Sequence, residues 1–509
     1  MGWLVLSCGL FVAYWVLLAI YRLHFHPLSR YRGPRVAAVS NSWYEWYWNY
    51  HLNGQMIFEI QRLHKQYGPV VRIGVNDLSI DDPEVYQAMT KVSSGFTKDP
   101  HFYRCISFPG TSIGETDPAK SRIRRKVLTP ALSGTRVQEL APAILGKVER
   151  LLRRVDLCAQ SAKTICITSA CKALTMDIIS KIVLGREIGC IEEPDFRNSF
   201  IENLNAAFET GWIATAFPRL ATLALWMASM SDFSVIPNPL IDFKRKCRAI
   251  TKSYLEVFDT HSDVYVARKD VNVPSAIATH ADRSAVIDML MDPLTVKGHT
   301  VPSLEQLNDE AVILLTAGND TTSNSMIFGL YQICNNMCVY KTLFQELQGR
   351  FPSVDQQITY EDAKQLPYLT ATIKEILRLG TPLPGRLPRL IPSSGFQLYG
   401  QDLPPKTSIH TSPYLLNRHP SIWDNPNDFN PDRWLRKNSR DLDKYLATFN
   451  RGARQCLGKD LAWCELWVFF ANLFRRYHIK TLPANMQWRD LILVKFKDNL
   501  CAEVEKRAD

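Results

Sequence analysis

The segment FNRGARQCLG, from Phe449 to Gly458, constrains the fold more than any other part of this 509-residue chain. It has the pattern FxxGxRxCxG, and five fixed positions at about 5% each would occur by chance in roughly one such chain in ten thousand. Cys456 lies two residues after Arg454, and an amphipathic run, LAWCELWVFFANLFRRY, follows it. The pattern therefore predicts a loop that presents one cysteine just before a helix.

The surroundings of Cys456 favour a reactive thiolate. An arginine and neighbouring backbone donors stabilise negative charge on sulfur, and the following helix points its positive end at it. Glycines allow a flat ligand to approach closely. Those are the requirements of a cysteine that binds haem iron. Twelve cysteines in 509 residues imply no disulfide framework, because that usage is ordinary for a reducing compartment.

The amino-terminal residues predict a membrane anchor. GWLVLSCGLFVAYWVLLAIY, from Gly2 to Tyr21, holds twenty residues without a charge, which is long enough to cross a bilayer as a helix. Four arginines follow between residues 22 and 35, so the positive-inside rule places the rest of the chain in the cytosol. A cleaved signal peptide is the alternative, but the positive charge follows the apolar run and no small-residue cleavage site is evident.

The remainder predicts one mainly helical body with small sheets. We expect an anchor over residues 1–22, a basic linker with two prolines over 23–36, and a single catalytic domain over 37–509. YGPVVRIGVNDLSIDD, residues 67–82, predicts a β-hairpin, and the prolines and glycines between 380 and 410 predict short strands. The formal charge of +10 suits an anionic membrane or an acidic protein, and no nucleic-acid motif is present.

Two internal motifs depart from ordinary helices. The helix predicted from Leu307 to Ile333 is apolar almost all round, but AGNDTT, residues 317–322, puts small and polar residues in its middle. Such residues open a functional bulge or mark a merely structural kink. Glu375 and Arg378 share one helix face, and such a pair alone is a common surface salt bridge. Arg433 in FNPDRW is placed to complete a buried network with them.

Together these features resemble a cytochrome P450 monooxygenase, a haem-thiolate enzyme. The anchor, hairpin, AGNDTT helix, Glu375-x-x-Arg378, PDRW and cysteine loop occur in the order that this family shows, over nearly the whole chain. HFHPLSRYRGPR and LHKQYGPVVRIGVNDLSI are similar to fungal biosynthetic members, including trichodiene-oxygenase-like terpenoid hydroxylases. The resemblance implies the mainly α P450 fold with small β-sheets and an N-terminal transmembrane helix.

The resemblance also implies which residues hold the cofactor, haem b. Cys456 is expected to be the proximal ligand of the iron, with Phe449 packed beside its sulfur. Propionate partners are expected at three arginines: Arg454, Arg389 and Arg125. Many relatives have Trp or His four residues before the last of these, whereas this chain has Ser121, so one propionate contact is expected to be lost or moved.

Other positions match the catalytic and structural motifs of the family. Asp320 and Thr321 correspond to the acid and alcohol pair that delivers protons on the face opposite the cysteine, and Gly318 is expected to leave room for oxygen. Glu375, Arg378 and Arg433 correspond to the structural triad behind the haem. Basic residues are expected to form a rim that receives an acidic flavoprotein: Arg122, Arg124, Arg125, Lys126, Arg451 and Lys459.

The activity implied is insertion of one oxygen atom from O2 into an apolar small molecule, in secondary-metabolite biosynthesis, with a terpenoid as first candidate. Two segments, Asp99–Glu115 and Ala206–Met227, are candidate pocket walls or ordinary core. The expected partners are an NADPH-cytochrome reductase, with cytochrome b5 as a second donor, at the endoplasmic reticulum membrane. A haem-thiolate isomerase or dehydratase and a non-catalytic haem sensor are the alternatives, and the Asp320–Thr321 pair argues against both.

Overall fold

The computed structural model describes residues 2–106, 108–209, 245–249, 285–437 and 439–508, together with residues 217, 223 and 252. Within them the chain is mainly helical, as predicted. The α-helices are α1 (Gly2–Ile20), α2 (Arg35–Val39), α3 (Asn41–Glu45), α4 (Met56–Tyr67), α5 (Pro83–Thr90), α6 (Pro100–Ile106), α7 (Pro118–Leu128), α8 (Gly134–Gln160), α9 (Ile167–Leu184), α10 (Ser199–Glu209), α11 (Val286–Met291), α12 (Leu304–Cys334), α13 (Met337–Arg350), α14 (Tyr360–Ala363), α15 (Pro367–Gly380), α16 (Pro413–Leu416) and α17 (Lys459–Arg476).

Short strands form four small sheets in the described residues. The largest has the order β1-β2-β8-β5-β3, and the others are β4-β12-β9, β6-β7 and β10-β11. The β1–β2 hairpin and the strands between 380 and 410 confirm the sequence prediction. The strands are β1 (Val70–Arg72), β2 (Asp77–Ile80), β3 (Thr97–Lys98), β4 (Ile165–Cys166), β5 (Arg389–Leu390), β6 (Phe396–Leu398), β7 (Gln401–Leu403), β8 (Ser408–His410), β9 (Tyr477–Thr481), β10 (Trp488–Leu491), β11 (Leu493–Phe496) and β12 (Cys501–Lys506).

Helix α12 runs through the main core and starts one turn earlier than predicted. The reason is a capping box: the Ser303 hydroxyl accepts from the Gln306 N–H, and the Gln306 side chain accepts from the Ser303 N–H. The helix is α-helical along its whole length, so the bulge, one of the two alternatives for AGNDTT, is not formed. The Thr321 hydroxyl bonds back to the carbonyl of Ala317 in the same helix, and the helix continues past this contact without a break.

Helix α9 packs closely against α12, and Gly318 makes that approach possible. A Cβ at Gly318 would lie 2.4 Å from Cγ1 of Ile179 on α9. Gly318 was expected to leave room for oxygen; the place that a side chain would take at Gly318 is filled by Ile179, so its lack of a Cβ permits the close helix contact. The two helices therefore pack closely at the AGNDTT segment of α12.

The Glu375 carboxylate organises a fully buried polar network, as the motif predicted. Its Oε1 accepts from Arg378 at 2.7 Å and from Arg433 at 3.0 Å, and its Oε2 accepts from the indole of Trp434 at 2.9 Å. Both arginines also donate to backbone carbonyls of the 417–428 segment. The network thus joins α15 to the irregular segment that precedes the cysteine loop.

The amino-terminal helix stands apart from the core. The stretch Trp3–Phe25 has a mean hydropathy of 2.3, none of its apolar window is buried, and it is the one candidate membrane span among the described residues. The residues after it are bonded to the body, since Arg22 donates to the carbonyl of Val39 at 2.5 Å and Arg72 donates to the carbonyl of Arg22 at 2.9 Å. The candidate membrane helix is therefore joined to the body by hydrogen bonds.

Candidate active site

The cysteine loop is a tight structure closed by backbone bonds. The N–H of Cys456 donates to the carbonyl of Phe449 at 2.8 Å, and helix α17 begins three residues later. Gly452 has a positive φ of 65°, and a Cβ there would lie 1.8 Å from the carbonyl oxygen of Thr90. Only glycine fits this turn, which fixes the direction in which the loop presents its cysteine.

The Cys456 side chain is accessible, yet enough protein surrounds it that burial raises the pKa of its thiol. The backbone N–H of Gly458 and the guanidinium of Arg125 act in the opposite direction and favour the thiolate. Arg125 is thus an arginine whose charge favours the thiolate. A metal cation would supply the positive charge that overcomes the cost of burial.

Four cations gather beside the loop. Lys98 on β3 lies directly opposite Arg389 on β5 in an antiparallel pair, and both side chains are buried. Arg125 donates to the carbonyl of Gln455 at 2.6 Å, and Arg454 donates to the carbonyl of Glu115 at 3.1 Å. The structure therefore brings together all three arginines that the sequence predicted, and it adds one lysine.

These cations oppose one another. Burial, Arg389 and Arg125 lower the pKa of Arg454 to about 10, and burial followed by the three arginines lowers the pKa of Lys98 well below its usual value. Glu115 is the acid whose charge acts on Arg454 and Lys98. Like charges directly opposite in a sheet are destabilising, so the cluster is suited to an anionic ligand. A dicarboxylate near a thiolate-bound metal is the group that this donor set fits.

Ser121 is buried and contacts the guanidinium of Arg454 through its hydroxyl. The residue that was expected to lose a propionate contact therefore positions one of the arginines. Arg389 is held in a similar way, because it donates to the hydroxyl of Tyr103 at 2.6 Å. The Lys98 ammonium lies 4.3 Å from the centre of the same tyrosine ring.

Thr321 lies on an accessible stripe of α12. Ala317, Gly318 and Thr321 are partly exposed, whereas Asn319, Asp320 and Thr322 are buried. The Thr321 hydroxyl donates to the carbonyl of Ala317 at 2.7 Å. Its oxygen keeps lone pairs that can accept a further bond.

Asp320 forms a buried ion pair that the sequence did not reveal. The Nζ of Lys172 on α9 lies 3.0 Å from its Oδ1, and both side chains are less than one-tenth exposed. Lys172 also donates to the side-chain oxygen of Asn205 on α10 at 2.5 Å. The acid is thus connected to a polar chain that crosses from α12 to α10.

Two lysines of the candidate site, Lys98 and Lys172, were not predicted from the sequence. Lys172 left a usable signal, because it is one of few charged residues in the otherwise apolar run ITSACKALTMDIISKIVL. Lys98 left none, since its neighbours become apparent only when β3 pairs with β5. No cluster of three or more His, Cys, Asp or Glu side chains that could hold a metal ion occurs in the described part of the chain.

The fold and this site define a class of protein, and comparison with known proteins agrees. The cytochrome P450 family model matches residues 40–496, so the chain belongs to the cytochrome P450 family. Membership implies a haem-thiolate iron cofactor.

Individual relatives agree with this class. The chain is 94% identical over 459 residues to the cytochrome P450 monooxygenase sol6 of Alternaria solani, a match that covers 90% of this chain and 96% of the relative. It is 30% identical to the monooxygenase macH of Penicillium terrestre, over 100% of this chain and 98% of that protein. The monooxygenase aneF of Aspergillus aculeatus is also 30% identical, over 95% of both chains. The prediction of a P450 monooxygenase is confirmed.

Proposed function

We propose that the chain is a haem-thiolate monooxygenase of fungal secondary metabolism in which Cys456 ligates the iron. The observation that carries the proposal is the accessible Cys456 thiol beside four poorly neutralised cations, Lys98, Arg125, Arg389 and Arg454. A group with two carboxylates and a thiolate-binding metal satisfies both features. When bound, the haem supplies the reduction of O2 and the transfer of one oxygen atom to a C–H bond.

Each residue at the cysteine face has a separate binding role. Cys456 donates its sulfur to the metal, with Arg125 and the Gly458 N–H favouring the anionic form. The remaining cations hold the propionates, and Ser121 and Tyr103 orient two of them. Phe449 closes the loop through its carbonyl, which accepts from the Cys456 N–H.

Protons are supplied from the face that α12 presents. The Thr321 hydroxyl donates to the Ala317 carbonyl, and its oxygen can accept a second hydrogen bond. If the hydroxyl rotates, it can donate its proton on the substrate side instead. Asp320 is the acid next in line, and its Oδ1 is held by Lys172 at 3.0 Å. The same ammonium donates to the Asn205 side-chain oxygen at 2.5 Å, so Lys172 joins Asp320 to a polar chain that leads to α10. Thr321 therefore delivers the proton on the substrate side, and Asp320 supplies the proton to Thr321.

The proposed substrate is an apolar secondary metabolite, with a terpenoid as first candidate. The candidate wall Asp99–Glu115 carries Tyr103 beside the cation cluster, which supports its place at the active site. Most of the second candidate wall, Ala206–Met227, lies outside the described residues. The single oxygen atom transferred gives a hydroxylation or the first step of a longer oxidation.

The proposed electron donor is an NADPH-cytochrome reductase, with cytochrome b5 as a second donor. Arg122 and Lys126 are exposed on α7 and are suited to an acidic partner. Arg124 is not available for this role, because it pairs with the buried Glu310 at 3.4 Å. We place the chain in the endoplasmic reticulum membrane through residues 1–22, with 23–36 as linker and the catalytic domain, 37–509, facing the cytosol.

The proposal is tested by separating oxygen activation from haem binding. Thr321→Ala should keep haem content and substrate affinity but lower product per NADPH about tenfold, the effect of about 1.4 kcal/mol lost from the productive transition state. The missing electrons should appear as hydrogen peroxide. Thr322→Ala is the matched control, since its buried side chain lies about 100° further round the helix.

The assay measures product, peroxide and NADPH consumption for both variants side by side, with Asp320→Asn as a third. Asp320→Asn should slow turnover with less peroxide leakage, because supply and not delivery is interrupted. Full coupling in Thr321→Ala, or a loss confined to Thr322→Ala, would show that the assignment of the threonine or of the chemistry is wrong.

A further inference from the structure

Two cysteines lie directly opposite each other on neighbouring strands of one sheet, outside the candidate active-site loop. Cys166 on β4 is the register partner of Cys501 on β12, in an antiparallel pair. They are the two cysteines that lie on strands in the described residues, and both are partly exposed. Directly opposed residues project to the same face of a sheet, so the two thiols are neighbours.

The backbone holds this pair at a separation that suits a disulfide. Directly opposite residues in an antiparallel pair have Cα atoms about 4.5 or 5.5 Å apart, and disulfides form at roughly 4.4–6.8 Å. Both values lie in the permitted range, so the register of the two strands is compatible with a disulfide. The register is fixed nearby by bonds from the Thr168 N–H to the carbonyl of Leu500 and from the Leu500 N–H to the Thr168 hydroxyl.

The neighbouring pair explains why the thiols face outward. Ile165 and Ala502, the next partners in the ladder, are buried in the main core. Because side chains alternate along a strand, Cys166 and Cys501 take the opposite, partly exposed face. Small oxidants can reach them there, whereas Cys171 in the following helix is fully buried. Burial and the facing Cys166 side chain raise the pKa of Cys501, as expected for two thiols that lie close enough to interact.

We propose that Cys166 and Cys501 form an oxidisable dithiol that closes into an intramolecular disulfide in the presence of hydrogen peroxide. One thiolate attacks an oxygen of the peroxide, which gives a sulfenic acid and hydroxide. The second thiol then displaces the sulfenic oxygen as water and forms the S–S bond. Overall, two thiols lose two electrons and two protons, and one peroxide becomes two molecules of water. Thiol reductants reverse the reaction.

The bond has a structural consequence for the active site. Cys166 precedes the first residue of α9, and the same helix carries Lys172, the partner of Asp320. The disulfide therefore ties the start of this helix to the last strand of the chain. The proposal concerns the thiols alone and stands whether or not the proposed function is correct.

The test uses the full-length holoenzyme in detergent micelles, treated with a small molar excess of hydrogen peroxide. Free thiols are blocked with N-ethylmaleimide, and the digest is analysed by mass spectrometry. We expect most of Cys166 to appear in a peptide linked to the Cys501 peptide, and dithiothreitol to abolish that species. Cys501→Ser should abolish it as well, whereas Cys338→Ser, which removes an exposed helical thiol, should leave it intact.

Either of two results would overturn the proposal. Full alkylation of Cys166 and Cys501 after peroxide treatment would show that the pair does not close. A link that migrates as a dimer on a non-reducing gel would show that the thiols react between molecules. If Cys501→Ser fails to fold, Cys166→Ser replaces it, and the linked peptide should appear in the wild-type protein and be absent from Cys166→Ser.

Discussion

Removing the Glu375 carboxylate should destabilise the protein more than any exposed charge change. Five groups donate to it: the Arg378 Nε and Nη2, the Arg433 Nε, the Trp434 Nε1 and the Asn430 N–H. Glu375 and Arg378 have no exposed side-chain surface, and Arg433 is 3% exposed. Glu375→Ala therefore leaves two guanidiniums buried without their counter-ion.

The magnitude follows from that burial. Breaking a buried pair by removing one partner costs about 3–5 kcal/mol, because an uncompensated charge remains in the interior. The carbonyls of Asn417 and Asp424 continue to accept from the arginines, which keeps the expected loss inside this range. Such a loss is a large part of an ordinary folding free energy of roughly 5–15 kcal/mol. Glu375→Gln keeps the shape but not the charge, so most of the loss should remain.

The assay is urea-induced unfolding followed by far-ultraviolet circular dichroism. Glu361→Gln is the control, because Glu361 pairs with Lys364 at the same spacing but with 56% of its side chain exposed. An exposed pair contributes about 0–1 kcal/mol, so this variant should unfold almost as the wild-type protein does. A loss below about 1 kcal/mol for Glu375→Ala would refute the claim that this network depends on its buried charge.

Two further predictions concern proton supply and the electron donor. Lys172→Met should slow product formation and increase the solvent deuterium isotope effect on turnover while substrate affinity is retained, because Asp320 loses its buried counter-ion. Lys172→Arg should restore much of the rate. An unchanged isotope effect in Lys172→Met would contradict a role of Lys172 in proton supply. Charge reversal at Arg122 or Lys126 should slow reduction by the reductase at low salt and flatten its dependence on ionic strength, whereas reversal at the exposed Lys480 should change neither. Equal effects at all three positions would place the partner surface elsewhere.

Much of the fold was predictable because its signals are local. The uncharged opening run, the hairpin before Asp82 and the amphipathic run after Cys456 each have a period or a turn that specifies one type of element. The Glu375 network was also predictable in outline, since Glu375 and Arg378 share a helix face. The early start of α12 could have been predicted from the S-L-E-Q capping box at residue 303.

The rest depends on contacts between distant segments, which periodicity does not encode. Lys98 joins the cation cluster only because β3 pairs with β5, almost 300 positions further along the chain. The contact between Gly318 and Ile179 was hidden for the same reason, since Ile179 reaches Gly318 from a separate helix. Lys172 pairs with Asp320 only when α9 packs on α12. Electrostatic roles are especially hidden, because burial and distance determine them more than residue type.

The central claim is that the Cys456 thiolate binds the haem iron. The most direct test is the carbon-monoxide difference spectrum of the reduced full-length protein, compared between wild type and Cys456→Ser, with Cys338→Ser as the control for loss of an exposed thiol. The account predicts a thiolate-type band in the wild type and the control and its loss in Cys456→Ser, because a neutral hydroxyl is a far weaker donor to iron. An unchanged thiolate-type band in Cys456→Ser would contradict the account.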